Sequence, residues 1–175
     1  GVDMRRADIF LTHLHSDHSG LASELASPGS KIYITREDGR RIDEILASAD
    51  NPRVDEYRSF GFSEEEMAHI DDAPSLKYQQ KEPVPFTYVA GGDALCYGGR
   101  RLLVIETPGH TPGHACLYDK ANQIMFLGDH VLFDITPNIT TWPGFSDPLG
   151  HYVHSLMDIS IFAVRLPLPA HREVT

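Results

Sequence analysis

The chain has 175 residues, and 15 Lys and Arg against 25 Asp and Glu give it a formal net charge of −10. That length fits one domain able to bury its own core, and 41% hydrophobic with 23% charged residues excludes wholesale disorder. The acidic balance argues against a nucleic-acid partner, which requires a basic face matched to phosphates. No apolar run approaches the roughly 20 residues of a membrane span, and residues 1–20 lack the layout of a signal peptide. Two cysteines, Cys96 and Cys116, do not make a disulfide framework and point to a reducing, cytoplasmic setting.

Ala7–Thr12 reads as a buried strand: a short apolar run with a β-branched end. His18–Ala26 follows as a short helix ended by Ser27-Pro28-Gly29, and Lys31–Thr35 alternates as a strand. From Arg36 to about Ala73 the pattern turns helical, with Ile42, Ile45 and Leu46 on one face. Ser63 and Glu66 have capping-box spacing and open a second helix through Met67 and Ile70. Tyr57, Phe60, Phe62, Met67 and Tyr78 in this middle stretch are expected in the core, with a site-covering wall as the alternative. Strands follow at Phe86–Ala90, Arg101–Glu106, Ala115–Tyr118 and Gln123–Leu127, separated by turns at Gly91-Gly92, Gly98-Gly99 and Asp119–Asn122. A last helix spans Leu149–Ile159 and a last strand Val164–Leu168. Strands flanking a helical middle predict a layered α/β (α+β) domain over 1–175, with the helical insertion at about 36–82.

Ten histidines are the unusual feature of the composition. Thr12-His13-Leu14-His15-Ser16-Asp17-His18 places three imidazoles and a carboxylate directly after a predicted strand. On extended backbone His13 and His15 point the same way, because the side-chain period is two. Imidazole nitrogen with carboxylate oxygen suits zinc, and also iron or manganese. No Gly-x-Ser-x-Gly elbow is present, so a serine nucleophile has no support.

This stretch resembles the His-x-His-x-Asp-His signature of the metallo-β-lactamase superfamily. Three further stretches resemble the family's other motifs: Thr107–His114 with His110 as its ligand, Phe126–Asp129 with Asp129, and Leu168–His171 with His171. The resemblance implies an αββα sandwich. Few residues precede the first motif or follow the last, so the sandwich is expected to lack N-terminal strands and its C-terminal end. It also implies two divalent ions: His13, His15 and His110 on the first, Asp17, His18 and His171 on the second, and Asp129 between them. The implied activity is hydrolysis of a small thioester, ester or lactone, in the style of glyoxalase II. A metal-bound hydroxide would attack, with Asp17 orienting it. Rival readings are a persulfide dioxygenase with one iron, a nuclease-type member, and a metal-binding relative without activity. Substrate-binding residues and oligomeric state stay open.

His114 is expected to orient a ligand rather than bind, since ligating histidines need such partners. His130 either faces away from the ions or lines the pocket. His69, His151 and His154 are expected on the surface, and Cys116 as a small core residue.

Overall fold

The computed structural model describes residues 3–48, 54–67 and 78–172. In chain order the elements are β1 (Ile9–Phe10), α1 (Ser16–Ser19), α2 (Ala22–Leu25), β2 (Ile32–Thr35), α3 (Arg36–Ala47), α4 (Val54–Ser59) and α5 (Glu64–Met67). They continue with β3 (Phe86–Val89), β4 (Ala94–Tyr97), β5 (Arg100–Glu106), β6 (Ala115–Asp119), β7 (Ile124–Gly128), α6 (Pro148–Ser160) and β8 (Leu166–Pro169).

The strands form two sheets. β1, β2 and β3 are parallel neighbours, with Ile9 beside Ile32 and Ile32 beside Phe86. β4 to β7 run antiparallel in sequence order, and β8 joins β7 in parallel. At that last pairing Leu166 donates to Gln123 O and Ala170 to Gly128 O, which leaves Pro167 and Pro169 pointing away from β7.

Alternation on β2 explains the layering. Every residue of Ile32–Thr35 is buried, so both faces of the strand are covered. Ile32 and Ile34 pack with Leu11, Leu14, Ala22, Ile42 and Trp142 on the helical side. Tyr33 packs the opposite way, with Val89, Leu95, Val104, Ala115 and Leu117 between the sheets. The far side of the second sheet buries Cys116, Tyr118, Met125 and Leu127 against Ile159 and Phe162 at the end of α6 and just beyond it. Helices, sheet, sheet and helix therefore stack in four layers, as the motifs implied.

Local chemistry sets the helix starts. Asp147 caps α6 by accepting from Gly150 N at 2.9 Å, and Pro148 occupies the first turn, where its missing N–H costs nothing. The predicted capping box forms at α5: Ser63 N donates to Glu66 Oε2 at 2.8 Å and Glu66 N to Ser63 Oγ at 3.3 Å. Ile70, His69 and the predicted helix end near Ala73 lie outside the described residues.

Four expectations are corrected. The helix predicted over His18–Ala26 is two short helices: α1 closes at Gly20, whose N–H still bonds Ser16 O, and the chain leaves helical geometry at Leu21 before α2 begins. β4 adds a strand in the segment between the two glycine turns; Ala94-Leu95-Cys96-Tyr97 has no polar residue, so no apolar–polar alternation marks it. The first strand covers only Ile9–Phe10. Phe60, Phe62 and Tyr78 are exposed by 65%, 46% and 60%, so they are not core; Met67 is buried. No helix among the described residues is long and apolar enough to cross a membrane.

Candidate metal centre

Four segments end at one edge of the sandwich. β1 runs into the loop carrying His13 and His15, and α1 begins at Ser16, so Asp17 and His18 sit in a helical first turn. The β5–β6 loop carries His110, β7 ends just before Asp129, and β8 just before His171. Ala115 N donates to Thr12 O at 2.9 Å, which ties the start of β6 to the first loop. Gly128, with φ of +53°, lets the end of β7 approach: a Cβ there would lie 2.7 Å from His114 Nε2 and 2.8 Å from Thr12 Cβ.

Seven side chains converge, and they are the seven singled out from the sequence. His13, His15 and His110 present ligand atoms within 4.8 Å of one another, as do Asp17, His18 and His171, and His13, His18 and Asp129. His13 Nε2 lies 3.0 Å from His15 Nδ1, and His18 Nε2 3.2 Å from His171 Nε2. Asp129 stands between the two outer groups: its Oδ2 is 3.5 Å from His110 Nε2 and 3.4 Å from His171 Nε2, and its Oδ1 3.4 Å from His18 Nε2. Asp17 Oδ2 is 3.2 Å from His171 Nε2 and 3.6 Å from His18 Nε2. Burial is graded, from 0% exposure at His13 and 3% at His110 to a largely exposed Asp17, so access is from the Asp17 and His171 side.

Hydrogen bonds fix the ring chemistry. His110 Nδ1–H donates to Asn138 O at 2.7 Å, which leaves Nε2 as the lone-pair nitrogen. Trp142 Nε1–H donates to His110 O at 3.3 Å. His114 is arranged differently: its Nε2 accepts from Asp129 N at 3.2 Å, so Nδ1–H faces Thr107 Oγ1 at 2.7 Å. Both nitrogens are engaged, and His114 holds the backbone of Asp129. His130 is fully buried, 5.9 Å from His114 and 5.2 Å from Tyr152 by ring centroid, and belongs to none of the three ligand groups.

Burial keeps these rings neutral. It pushes His15 down to about 4, aided by nearby His110, and lowers His13 and His110. Burial alone would raise Asp129, but His18, His110 and His171 around it outweigh that and hold it below the usual range. Neutral imidazoles and an ionised carboxylate are what a cation requires. Within the cluster, His110 Nε2 and Asp129 Oδ1 are buried without a hydrogen-bond partner, so both have lone pairs open to a cation. The other buried atoms in that condition among the described residues, on His130 and Gln80, lie outside the three ligand groups. The donor set fits divalent metal.

Cys116 is fully buried, and burial pushes its thiol up to about 12, so it is no nucleophile. His151 and His154 lie on exposed positions of α6 as expected. Sequence reasoning missed Asp38, Asn138 and Trp142. Asn138 acts through its carbonyl, which carries no side-chain signal, and Asp38 lies 24 residues from the loop it holds.

A family model described as the metallo-beta-lactamase superfamily matches residues 7–167. The acyl-coenzyme A thioesterase MBLAC2 of Bos taurus is 30% identical over 160 residues, covering 91% of this chain and 54% of that protein. The chain thus spans about half the length of the curated relatives it matches. Metallo-beta-lactamase family protein TTHA1429 from Thermus thermophilus superposes with a TM-score of 0.76 at 24% identity, covering 99% of this chain and 57% of that one. TTHA1623, solved in a di-iron-bound form, gives 0.64 at 24% identity over 96% and 71% of the two chains.

Proposed function

Because the chain belongs to the metallo-beta-lactamase superfamily, we propose that it is a hydrolase that holds two divalent ions and cleaves a small thioester, ester or lactone. The observation that carries this reading is Asp129, whose carboxylate stands between two groups of ligand-type side chains. His13, His15 and His110 would hold the first ion, Asp17, His18 and His171 the second, and Asp129 both. Zinc suits this donor set, with iron or manganese as alternatives. Such ions supply Lewis acidity toward a carbonyl oxygen and lower the pKa of bound water to about 7.

The chain's own groups supply the rest. Asp17, at the open side, accepts a hydrogen bond from the attacking water and so orients it. His110, fixed by Asn138 O, and Asp129, fixed through its backbone by His114, keep the inner wall rigid. A thioester is favoured because the bovine relative bears the name of an acyl-coenzyme A thioesterase. Both cysteines are free thiols, which supports a cytoplasmic setting.

The test pairs metal content with activity. Elemental analysis of folded protein should find close to two equivalents per chain; none found, and none restored on addition, would end the proposal. The partner assay compares hydrolysis of a thioester and lactone panel with oxygen uptake on glutathione persulfide, for wild type and His171→Ala. A hydrolase using both ions loses one ion and most of its rate. Persulfide-dependent oxygen uptake surviving in the variant, with no hydrolysis by wild type, would establish the single-iron dioxygenase instead.

A further inference from the structure

Asp38, in the first turn of α3, is fully buried, and its hydrogen bonds go to none of the seven candidate ligands. Its Oδ2 accepts from Leu14 N at 3.0 Å and from Thr111 Oγ1 at 2.6 Å, and its Oδ1 from Gly113 N at 2.7 Å. Leu14 separates His13 from His15, and Thr111 follows His110, so one carboxylate joins the two loops that carry the three-histidine group. The same end of α3 grips Gly113 again: Thr35 Oγ1 donates to Gly113 O. A Cβ on Gly113 would lie 2.4 Å from Thr35 Oγ1 and 2.7 Å from Asp38 Oδ1, so the grip requires glycine.

All three partners of the carboxylate are donors. Only an anion accepts from every one of them; an amide in its place would turn N–H against at least one. The buried charge has no salt bridge to Lys or Arg among the described residues. Arg41, whose field reaches it, is engaged with Glu37 and Pro143 O.

We propose that Asp38 is a positioning residue of the metal centre: by clamping Leu14, Thr111 and Gly113 it sets how the loop of His13 and His15 meets that of His110, and so how tightly this group holds its ion. The inference rests on the two-ion reading above. It makes the first ion's affinity depend on a residue that never touches it.

Asp38→Asn keeps the volume and removes the charge. The variant is compared with wild type by zinc competition against a chromophoric chelator and by the visible spectrum after cobalt substitution. Far-UV circular dichroism and melting of the metal-free protein monitor the fold. The expected result is a native dichroism spectrum at 25 °C, zinc bound about ten-fold or more weaker, and a changed cobalt d–d band, the scale typical of losing a group that orients a ligand. Wild-type affinity and cobalt spectrum, with only a lower melting temperature, would show that Asp38 serves the fold alone, and would leave the two-ion reading standing. A wild type that binds no metal would remove both. Should Asp38→Asn fail to fold, Thr111→Val decides: it removes one donor while keeping the side chain's shape. A roughly three-fold or greater loss of zinc affinity supports the clamp, and unchanged affinity overturns it.

Discussion

His110 and His114 are four residues apart in one loop, both buried, and chemically opposite. A carbonyl takes the Nδ1–H of His110 and leaves a lone pair facing the cluster, whereas His114 receives a backbone N–H and faces a hydroxyl. His114→Leu should therefore strand the Asp129 amide. An unmet buried donor costs about 1–3 kcal/mol, so a lower denaturation midpoint of the metal-free protein is expected, together with weaker metal binding. Asp129→Ala acts on the ions themselves. Without the shared carboxylate, metal content should fall from two equivalents toward one and turnover by about 10²-fold. Unchanged stoichiometry and rate would mean that Asp129 is not shared. The seven cluster residues were readable because six residues of the first motif carry four of them and the rest precede or follow predicted strands. Asp38 was not readable: an acidic residue in a helix's first turn has an ordinary explanation in the helix dipole, and only the folded chain brings it to Leu14, Thr111 and Gly113.

The strands deliver these residues because β7 and β8 run parallel and both end at the same edge, where the β5–β6 loop also lies. Most strands of the second sheet were legible from short apolar runs between glycine turns. β4 escaped because Ala94-Leu95-Cys96-Tyr97 has no polar residue and so shows no apolar–polar alternation, and the break between α1 and α2 escaped because Leu21, where the chain leaves helical geometry, carries no breaker signal. Gly128 shows the element scale directly. Its positive φ and the nearness of Thr12 and His114 predict that Gly128→Ala costs about 2–4 kcal/mol, strain and overpacking combined. Gly92, also at positive φ but with nothing within 4 Å of a Cβ, isolates the strain alone; Gly92→Ala should cost about 1–2 kcal/mol. Urea midpoints of the two variants separate these effects, and equal losses would contradict the packing argument.

At the scale of the whole molecule, histidines buried as neutral rings make the metal-free protein acid-sensitive. Burial lowers His13, His15, His110, His114 and His130, with His15 and His130 reaching about 4. Unfolding restores their ordinary value near 6.5, so below that pH the unfolded chain binds more protons and stability falls. Asp38, pushed up to about 6 by burial, works the other way between about pH 4 and 6, but it is one group against five. Melting temperature should therefore decline from pH 7 toward pH 4.5, and zinc at neutral pH should raise it by binding the native state alone; a flat or rising profile in acid would refute the assignment of neutral rings. The prolines of β8 govern a different property. With Pro167 and Pro169 turned outward, the β8 rim of the five-stranded sheet offers carbonyls but no alternating N–H row, so an incoming strand finds no ladder to extend on that side. Replacing both by threonine should leave the β7 pairing intact while restoring those donors, and light scattering at raised concentration should then report more edge-to-edge association than the unchanged chain shows; equal scattering would mean that the prolines do not guard this edge.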